Sequence, residues 1–208
     1  MTAQIPDIVT YRGQQYSVAG IQGAGLFKPE DHGLVAQAFS TACWRGFHCE
    51  YSVEDAALFL EQVSIGLSED DFIGGAQVFG RAFESYTFEA KKLEKGAWVP
   101  VTAMAHDKRV RGLHQPMRFS GGLLLGGEFI REMYVHMGFH PAHKFRVVHE
   151  LIFEDGNLSK AFDRSEEMAN FRKAMTSDPG LPERRPSKQE IEEWIKSTFS
   201  LDYARRDA

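Results

Sequence analysis

The stretch that decides the fold is FRVVHELIFEDGNL, residues 145–158. Two sets of side chains alternate along it: Val147, His149, Leu151 and Phe153 with Arg146, Val148, Glu150 and Ile152. Alternation with a period of two is typical of a β-strand, whose successive side chains point to opposite faces. The turn Asp155-Gly156-Asn157 then supplies residues that tolerate the positive φ values of a tight hairpin. The stretch therefore predicts a β-hairpin.

Two earlier stretches follow the same pattern. Residues 8–18 alternate on both sides of Arg12-Gly13-Gln14, and residues 50–65 alternate around a turn near Glu54-Asp55. Further strand-like stretches, rich in aromatic and β-branched residues, lie at 76–89 and 98–104. Many short strands separated by turn residues are typical of antiparallel sandwiches and barrels.

Two segments between the hairpins are predicted to be irregular. Gly121-Gly122 and Gly126-Gly127 flank three leucines, and because glycine weakens the interior of a strand, these pairs predict bulges or turns. Residues 106–118 are locally basic and predict a long hairpin loop. We interpret that loop as solvated, with contact to a phosphate or an acidic protein surface as the alternative.

The hydrophobic pattern of the sequence changes from strand-like to helical near Asp163. Met168, Phe171 and Met175 have the spacing of one helical face, which Asp163 or Ser165 would cap. A proline-rich loop over 176–186 precedes the capping box Ser187-Lys-Gln-Glu190 of a second predicted helix.

The pattern as a whole predicts an α+β, β-rich fold. We expect an antiparallel sandwich, or a curved sheet or barrel, with C-terminal helices packed on it. Residues 1–162 would form the β-rich domain. Residues 163–208 would form a helical extension that docks on the same domain, because an isolated short helix is marginal in water.

Composition excludes several classes of protein. The 208 residues carry 24 Lys+Arg against 29 Asp+Glu, a formal net charge of −5, and 43% hydrophobic residues, as in ordinary soluble globular proteins. Net acidity argues against a nucleic-acid partner. The chain lacks a run of about 20 apolar residues, so we expect no membrane partner, and its first residues lack the features of a secretory signal. We therefore predict a cytoplasmic protein.

The segment Cys43-Trp44-Arg45-Gly46-Phe47 offers the first candidate residues. If it is a strand, Trp44 and Arg45 point to opposite faces, and we interpret Trp44 as a core residue and Arg45 as salt-bridged to a nearby Glu50 or Asp55. The alternative is a recognition surface, since Trp and Arg are both enriched in binding hot spots.

The two cysteines, Cys43 and Cys49, form neither a CxxC motif nor a four-ligand zinc pattern. We interpret both as small buried hydrophobic residues, as expected in a reducing compartment. A catalytic thiolate at either position is the alternative.

The densest polar cluster runs from Tyr134 through His136 and His140 to His143. Imidazoles are common metal ligands, but Gly138 and Pro141 oppose the helix that would align them, and no acidic residue lies among them. We predict no metal site, with His136, His140 and His143 as the only, weak candidates. Exposed loop histidines are the leading interpretation, and contact with a ligand or partner is the alternative.

Several of these motifs occur together. The chain carries Thr41-Ala-Cys-Trp-Arg-Gly-Phe47, Phe119-Ser-Gly-Gly-Leu123, Tyr134-Val-His-Met-Gly-Phe139 and Leu151-Ile-Phe-Glu-Asp-Gly156. In this combination it resembles a group of uncharacterised bacterial proteins with WRG-aromatic, FSG and YVHMG elements. The resemblance covers roughly residues 9–159 and implies a shared fold without a mechanism. The chain departs from that group at Cys43, at the basic segment near Arg109 and in its C-terminal helices.

The sequence contains no complete catalytic motif, and we predict no cofactor. The leading hypothesis is a protein-interaction module, of the immunity or antitoxin kind, that inhibits a partner protein. Its candidate binding residues are Trp44, Arg45, Tyr134, His136 and His140. The second hypothesis is an enzyme or small-ligand-binding protein with a His/Tyr/Arg site at one end of the sheet. The oligomeric state stays open at this point.

Overall fold

The computed structural model describes residues 2–94, 96–177 and 201–203. Twelve strands lie in these ranges: β1 Ile8–Tyr11, β2 Gln14–Ala24, β3 Phe47–Glu54, β4 Ala57–Ile65, β5 Gln77–Val78, β6 Arg81–Ala82, β7 Thr87–Glu94, β8 Ala97–Met104, β9 Lys108–Pro116, β10 Ser120–Phe129, β11 Phe145–Glu154 and β12 Asn157–Asp163. The α-helices are α1 Glu69–Ile73 and α2 Ser165–Ser177, and short 3-10 turns lie at Pro29–His32, Arg131–Met133 and Ala142–Lys144.

Eight strands form one sheet in the order β12-β11-β10-β2-β1-β3-β4-β9. Neighbouring strands are antiparallel except β1 and β3, which are parallel. The sheet curls until β12 meets β4, where Asn157 pairs with Ala57. The N–H of Leu58 donates to the carbonyl of Gly156 at 2.9 Å, which reinforces this contact. The β-rich α+β fold with a large curved sheet is therefore confirmed.

The three predicted hairpins are present, with their turns where the sequence places them. The β1–β2 turn has Arg12 and Gly13 at positive φ, and the β11–β12 turn has Asp155 and Gly156 at positive φ. The β3–β4 turn uses Asp55 and Ala56 in the same way. Positive φ at both central residues gives the twist that flanking strands need.

The prediction for the glycine pairs is wrong. Both pairs lie inside the continuous strand β10, and its register slips against β2 only between Leu124 and Leu125. At these positions glycine lets neighbouring strands and side chains approach the backbone of β10 closely, and it does not make a turn. A Cβ on Gly121 would overlap the carbonyl oxygen of Gln22, and a Cβ on Gly126 would overlap the ring of Phe145.

The main core lies inside the curl of the sheet. Its largest fully buried side chains are Tyr51, Phe119, Phe153, Leu58, Leu60, Ile65, Leu123, Leu125 and Leu151. A smaller cluster covers the outer face: Ala19, Ala142, Phe145 and Val148, with Leu124, Phe129 and Met168 packed against it. Met168 comes from α2, so this helix covers part of the outer face.

Helix α2 begins where the sequence predicts. The Asp163 carboxylate accepts the backbone N–H of Ser165 at 2.8 Å, as a helix cap does. The helix packs against β11. The predicted helix that follows Ser187 lies outside the described residues. None of the described helices has the length and apolarity that crossing a membrane requires.

Three residues near the C-terminus lie beside β2, where Asp202 forms a parallel bridge with Ile21 and Leu201 packs against the main core. The N–H of Ile21 donates to the carbonyl of Leu201 at 2.6 Å, and the hydroxyl of Tyr203 donates to Glu150 at 3.1 Å. Glu150 is buried and also pairs with Arg164 at 2.6 Å. Residues 201–203 therefore run alongside β2, and Tyr203 reaches the buried carboxylate of Glu150 in β11.

Candidate functional site

The WRG segment is a turn and not a strand. Strand β3 begins only at Phe47, and Gly46 adopts a φ of +77° with its backbone packed against that of Gln37. The expectation that Trp44 and Arg45 alternate along a strand is therefore wrong. Trp44 is 46% exposed and not a core residue.

The turn is held by an ion pair between Arg45 and Asp7. The Arg45 guanidinium donates to both Asp7 oxygens, and its Nε donates to the carbonyl of Phe47 at 2.7 Å. Asp7 is buried and also accepts the N–H of Cys49 at 2.6 Å. The sequence pointed to Glu50 or Asp55 as the partner of Arg45, and the structure corrects this to Asp7. The reason is that β1 pairs in parallel with β3 and brings a residue 38 positions away beside the turn.

Burial and charge oppose each other at Arg45. Burial alone would lower the pKa of its guanidinium, but the charge and hydrogen bonds of Asp7, with smaller contributions from the two cysteines, raise that pKa above its ordinary value. The Arg45 side chain is therefore charged and paired with the buried Asp7 carboxylate.

The N-terminal segment joins the WRG turn to the histidine-rich segment. Gln4 donates its backbone N–H to the carbonyl of Gly138 at 2.8 Å, and its side-chain oxygen accepts the N–H of Trp44 at 2.9 Å. The Arg45 guanidinium also lies 5.6 Å from the ring centroid of Phe139. Two segments that are about 90 residues apart in sequence therefore lie on either side of residues 3–5.

The rings of Tyr134, His136 and His140 form an aromatic cluster. The ring centroid of Tyr134 lies 4.9 Å from that of His136 and 5.2 Å from that of His140. Phe129 supports the cluster from the sheet, 4.6 Å from His140. Tyr134 and the neighbouring Val135 are each 43% exposed. The structure thus brings these three candidate residues together, with the outer part of the cluster at the surface.

His140 is held in its neutral form. Burial, and to a lesser extent the charge of Lys144, lower the pKa of its imidazole from 6.5 to about 4. Its Nδ1 is buried and has no hydrogen-bond partner within the described residues. Burial also lowers the pKa of the Lys144 ammonium.

We expect this histidine to make stability depend on pH. Because the unfolded chain binds a proton near pH 6.5 and the folded chain only near pH 4, the free energy of unfolding falls as the pH drops through that window. Urea titrations between pH 7 and pH 4.5 should show a shallower fall for His140→Gln than for the wild type. A residual slope remains from His48 and His143, whose pKa values burial also lowers. The exposed His106→Gln serves as control, and equal slopes for H140Q and the wild type would contradict the assignment.

The histidines considered as metal candidates do not share a site. Within the described ranges, His136, His140 and His143 do not bring their ring nitrogens within 4.8 Å of one another. His143 packs instead on Phe171 of α2, with ring centroids 5.4 Å apart.

A different group has the geometry of metal ligands. Donor atoms of Glu54, Glu61 and His114 all lie within 4.8 Å of one another. His114 stacks on Phe59 at 4.2 Å, and its Nδ1 lies 3.0 Å from a Glu61 oxygen. That oxygen also accepts the hydroxyl of Ser52. One imidazole and two carboxylates suit a divalent transition-metal ion. In this structure His114 is hydrogen-bonded to Glu61, and Glu54 lies beside them.

Both cysteines are buried, as the sequence predicted. Burial raises the pKa of the Cys43 thiol, and it raises that of Cys49 well above its ordinary range. Both groups are therefore thiols near neutral pH, which does not favour the alternative of a catalytic thiolate.

The basic segment is a strand and not a loop. It forms β9, which pairs with β4, and its cations contact the surface around them. Arg109 lies 3.6 Å from the ring centroid of Tyr86, Lys108 lies 4.5 Å from that of Phe72, and Arg111 donates to Gln62. These contacts place three of the four cations of this segment against neighbouring side chains, although the buried Nε of Arg109 has no hydrogen-bond partner within the described residues.

The β7–β8 hairpin is a feature that sequence reasoning missed. These strands pair only with each other among the described residues, and most of their side chains are exposed. Phe88 is 48% exposed, Leu93 56%, Trp98 67% and Met104 60%. The strand-like stretches predicted from the sequence, 76–89 and 98–104, match β8 but overlap β7 only at residues 87–89. Alternation also does not reveal whether a strand joins the main sheet.

One shallow hollow lies elsewhere on the surface, lined by residues of α1, the turn after it and His32 to Leu34. None of the candidate residues of the sequence lines it. Comparison of the chain with protein families, with curated proteins and with solved structures found no match.

Proposed function

We propose that this protein is a protein-interaction module that binds its partner through a recognition face formed by Trp44, Tyr134, Val135 and His136. The observation that carries the proposal is the link through Gln4, which places the WRG turn and the histidine-rich segment side by side. Both segments present exposed aromatic or apolar side chains there.

The recognition face rests on rigid supports. The Arg45–Asp7 ion pair fixes the backbone that carries Trp44, and Phe129 and His140 support the ring of Tyr134. Tyr and Trp give large contact area at a low entropic cost, and residues of this kind dominate binding hot spots. Within the described residues the Tyr134 hydroxyl makes no hydrogen bond, so it is available to a partner.

The same geometry gives less support to the enzyme or small-ligand hypothesis. That hypothesis used Arg45 to hold an anionic group, and Arg45 is already paired with Asp7. The finer proposal is an inhibitor of the immunity or antitoxin kind. The formal charge of −5 favours a basic partner protein, because complementary charge steers association.

The test is native mass spectrometry of the chain purified from its own host. We expect a second, basic chain at a fixed stoichiometry. Trp44→Ala and Tyr134→Ala should each weaken the complex by roughly 30-fold, as truncation of a hot-spot residue does. Ile73→Ala is the matched control, since this side chain is 75% exposed and lies in α1. A complex that survives both substitutions unchanged, or the absence of any second chain, would overturn the proposal.

A further inference from the structure

We infer that the β7–β8 hairpin is a dimerisation arm, and that β7 pairs in antiparallel fashion with β7 of a second copy of this chain. The inference is independent of the recognition face, because Trp44 and Tyr134 lie outside the hairpin.

The hairpin lacks the cover that strands normally have. One face carries two apolar pairs that are half-buried or exposed, Phe88 with Ala103 and Ala90 with Val101, followed by Val99 opposite the charged Lys92. The other face carries Leu93 opposite Trp98, and Met104 near its base. An isolated two-stranded hairpin is marginally stable in water. Added strands would extend it to a larger sheet and bring the apolar residues of this face together.

Only one edge of the hairpin is open to a further strand. Pro100 lies in the middle of β8 and has no N–H, so the outer edge of β8 lacks a ladder donor. Strand β7 contains no proline, and its outer edge is unpaired within the described residues. A partner strand therefore adds to β7.

Symmetry and charge select the register. A two-fold axis perpendicular to a sheet places one residue opposite its own copy. With Ala90 on the axis, Glu89 lies opposite Lys91 of the second copy, twice per dimer. With Glu89 or Lys91 on the axis, the residue meets its own like charge, which is unfavourable between directly opposite strand residues.

The contacts within one copy leave these charges available. Glu89 accepts a hydrogen bond from Thr102 at 3.0 Å in an exposed position, and Lys91 makes no ion pair within the described residues. Lys92 is paired with Glu94 at 3.1 Å and would lie opposite Phe88 of the second copy, where its aliphatic stem covers the ring. The axis position also places the small Ala90 where the two copies come closest.

Charge reversal tests this register in the full chain. By sedimentation velocity and native mass spectrometry, the wild type should be a dimer. Glu89→Lys and Lys91→Glu should each raise the dimer dissociation constant by at least about tenfold, because each creates two like-charge pairs. An equimolar mixture of E89K and K91E chains, one of them labelled with ¹⁵N, should form heterodimers, since both opposite-charge pairs return. The double variant E89K/K91E should dimerise with itself.

Three results would overturn the inference. The wild type could be monomeric at about 100 µM, a concentration at which even weak dimers are populated. The single variants could dimerise like the wild type, or their mixture could stay monomeric. Both positions are exposed, and unchanged circular dichroism together with recovery in the double variant separates lost pairing from lost folding. The inference and the proposed recognition face can fail separately. W44A can lose a heterologous partner while the dimer still forms, and the charge variants can lose the dimer while the heterologous partner still binds.

Discussion

Arg45→Ala is expected to lower the free energy of unfolding by about 2–3 kcal/mol, near the lower end of the cost of removing one partner from a buried ion pair. The substitution leaves the Asp7 carboxylate buried, with the N–H of Cys49 as its remaining donor among the described residues. It also removes the shorter of two hydrogen bonds to the carbonyl of Phe47, where β3 begins, and leaves the one from the Cys43 thiol at 3.4 Å. Urea unfolding followed by circular dichroism at pH 7 measures this loss.

A double-mutant cycle provides the control. Asp7→Asn keeps an acceptor for Cys49 but removes the charge, so R45A should cost less in the D7N background than in the wild type. Arg45→Lys keeps the charge without the paired donors, and its cost should be intermediate. If R45A lowers stability by less than about 0.5 kcal/mol, typical of exposed pairs, the pair does not anchor the turn.

Gly121→Ala is expected to destabilise the protein by at least about 3 kcal/mol. Gly121 has a φ of +144° and faces Gly23 of β2, and a Cβ there would overlap the carbonyl oxygen of Gln22. The overlap is with backbone, so a side-chain rotation cannot relieve it. The free energy of unfolding from urea titration, together with hydrogen exchange at β2 and β10, checks this prediction.

Gly75→Ala separates crowding from backbone strain. Gly75 also has a positive φ, +81°, but a Cβ there would meet no atom within 4 Å. Its substitution should cost about 1 kcal/mol, the share due to conformation alone. Equal effects at both positions would show that the β2–β10 contact is not as close as the structure has it.

Local patterns predicted the hairpins because their determinants are adjacent in sequence. The Asp155-Gly156 and Arg12-Gly13 turns have the positive φ values that their residue types favour. The glycines of β10 failed as turn signals because their role depends on β2, whose residues come about 100 positions earlier. Glycine in a strand indicates either a break or a close approach, and only the neighbouring strand decides between them.

The sequence predicted which residues belong to the candidate site, but it did not predict how they are arranged in space. The clustering of Tyr134, His136 and His140 is local, and the rings do meet. The partner of Arg45 is not local, because it follows from the parallel pairing of β1 with β3. The buried His140 nitrogen, which has no partner in the described part of the chain, and the exposed hairpin both follow from burial, which sequence periodicity does not report.

The meeting of β12 with β4 has a consequence for how the chain folds. Asn157 and Ala57 are 100 positions apart, and β10 must also insert beside β2 before the sheet can curl shut. Forming contacts of such long range costs loop-closure entropy before the contacts themselves stabilise the chain. Proteins rich in such contacts therefore fold in milliseconds to seconds. During synthesis the N-terminal hairpins can form early. The edge of β2 that pairs with β10 stays without a partner strand until the residues after 120 have left the ribosome. The interval in which this protein is most exposed to aggregation is therefore set by the translation of β10 to β12.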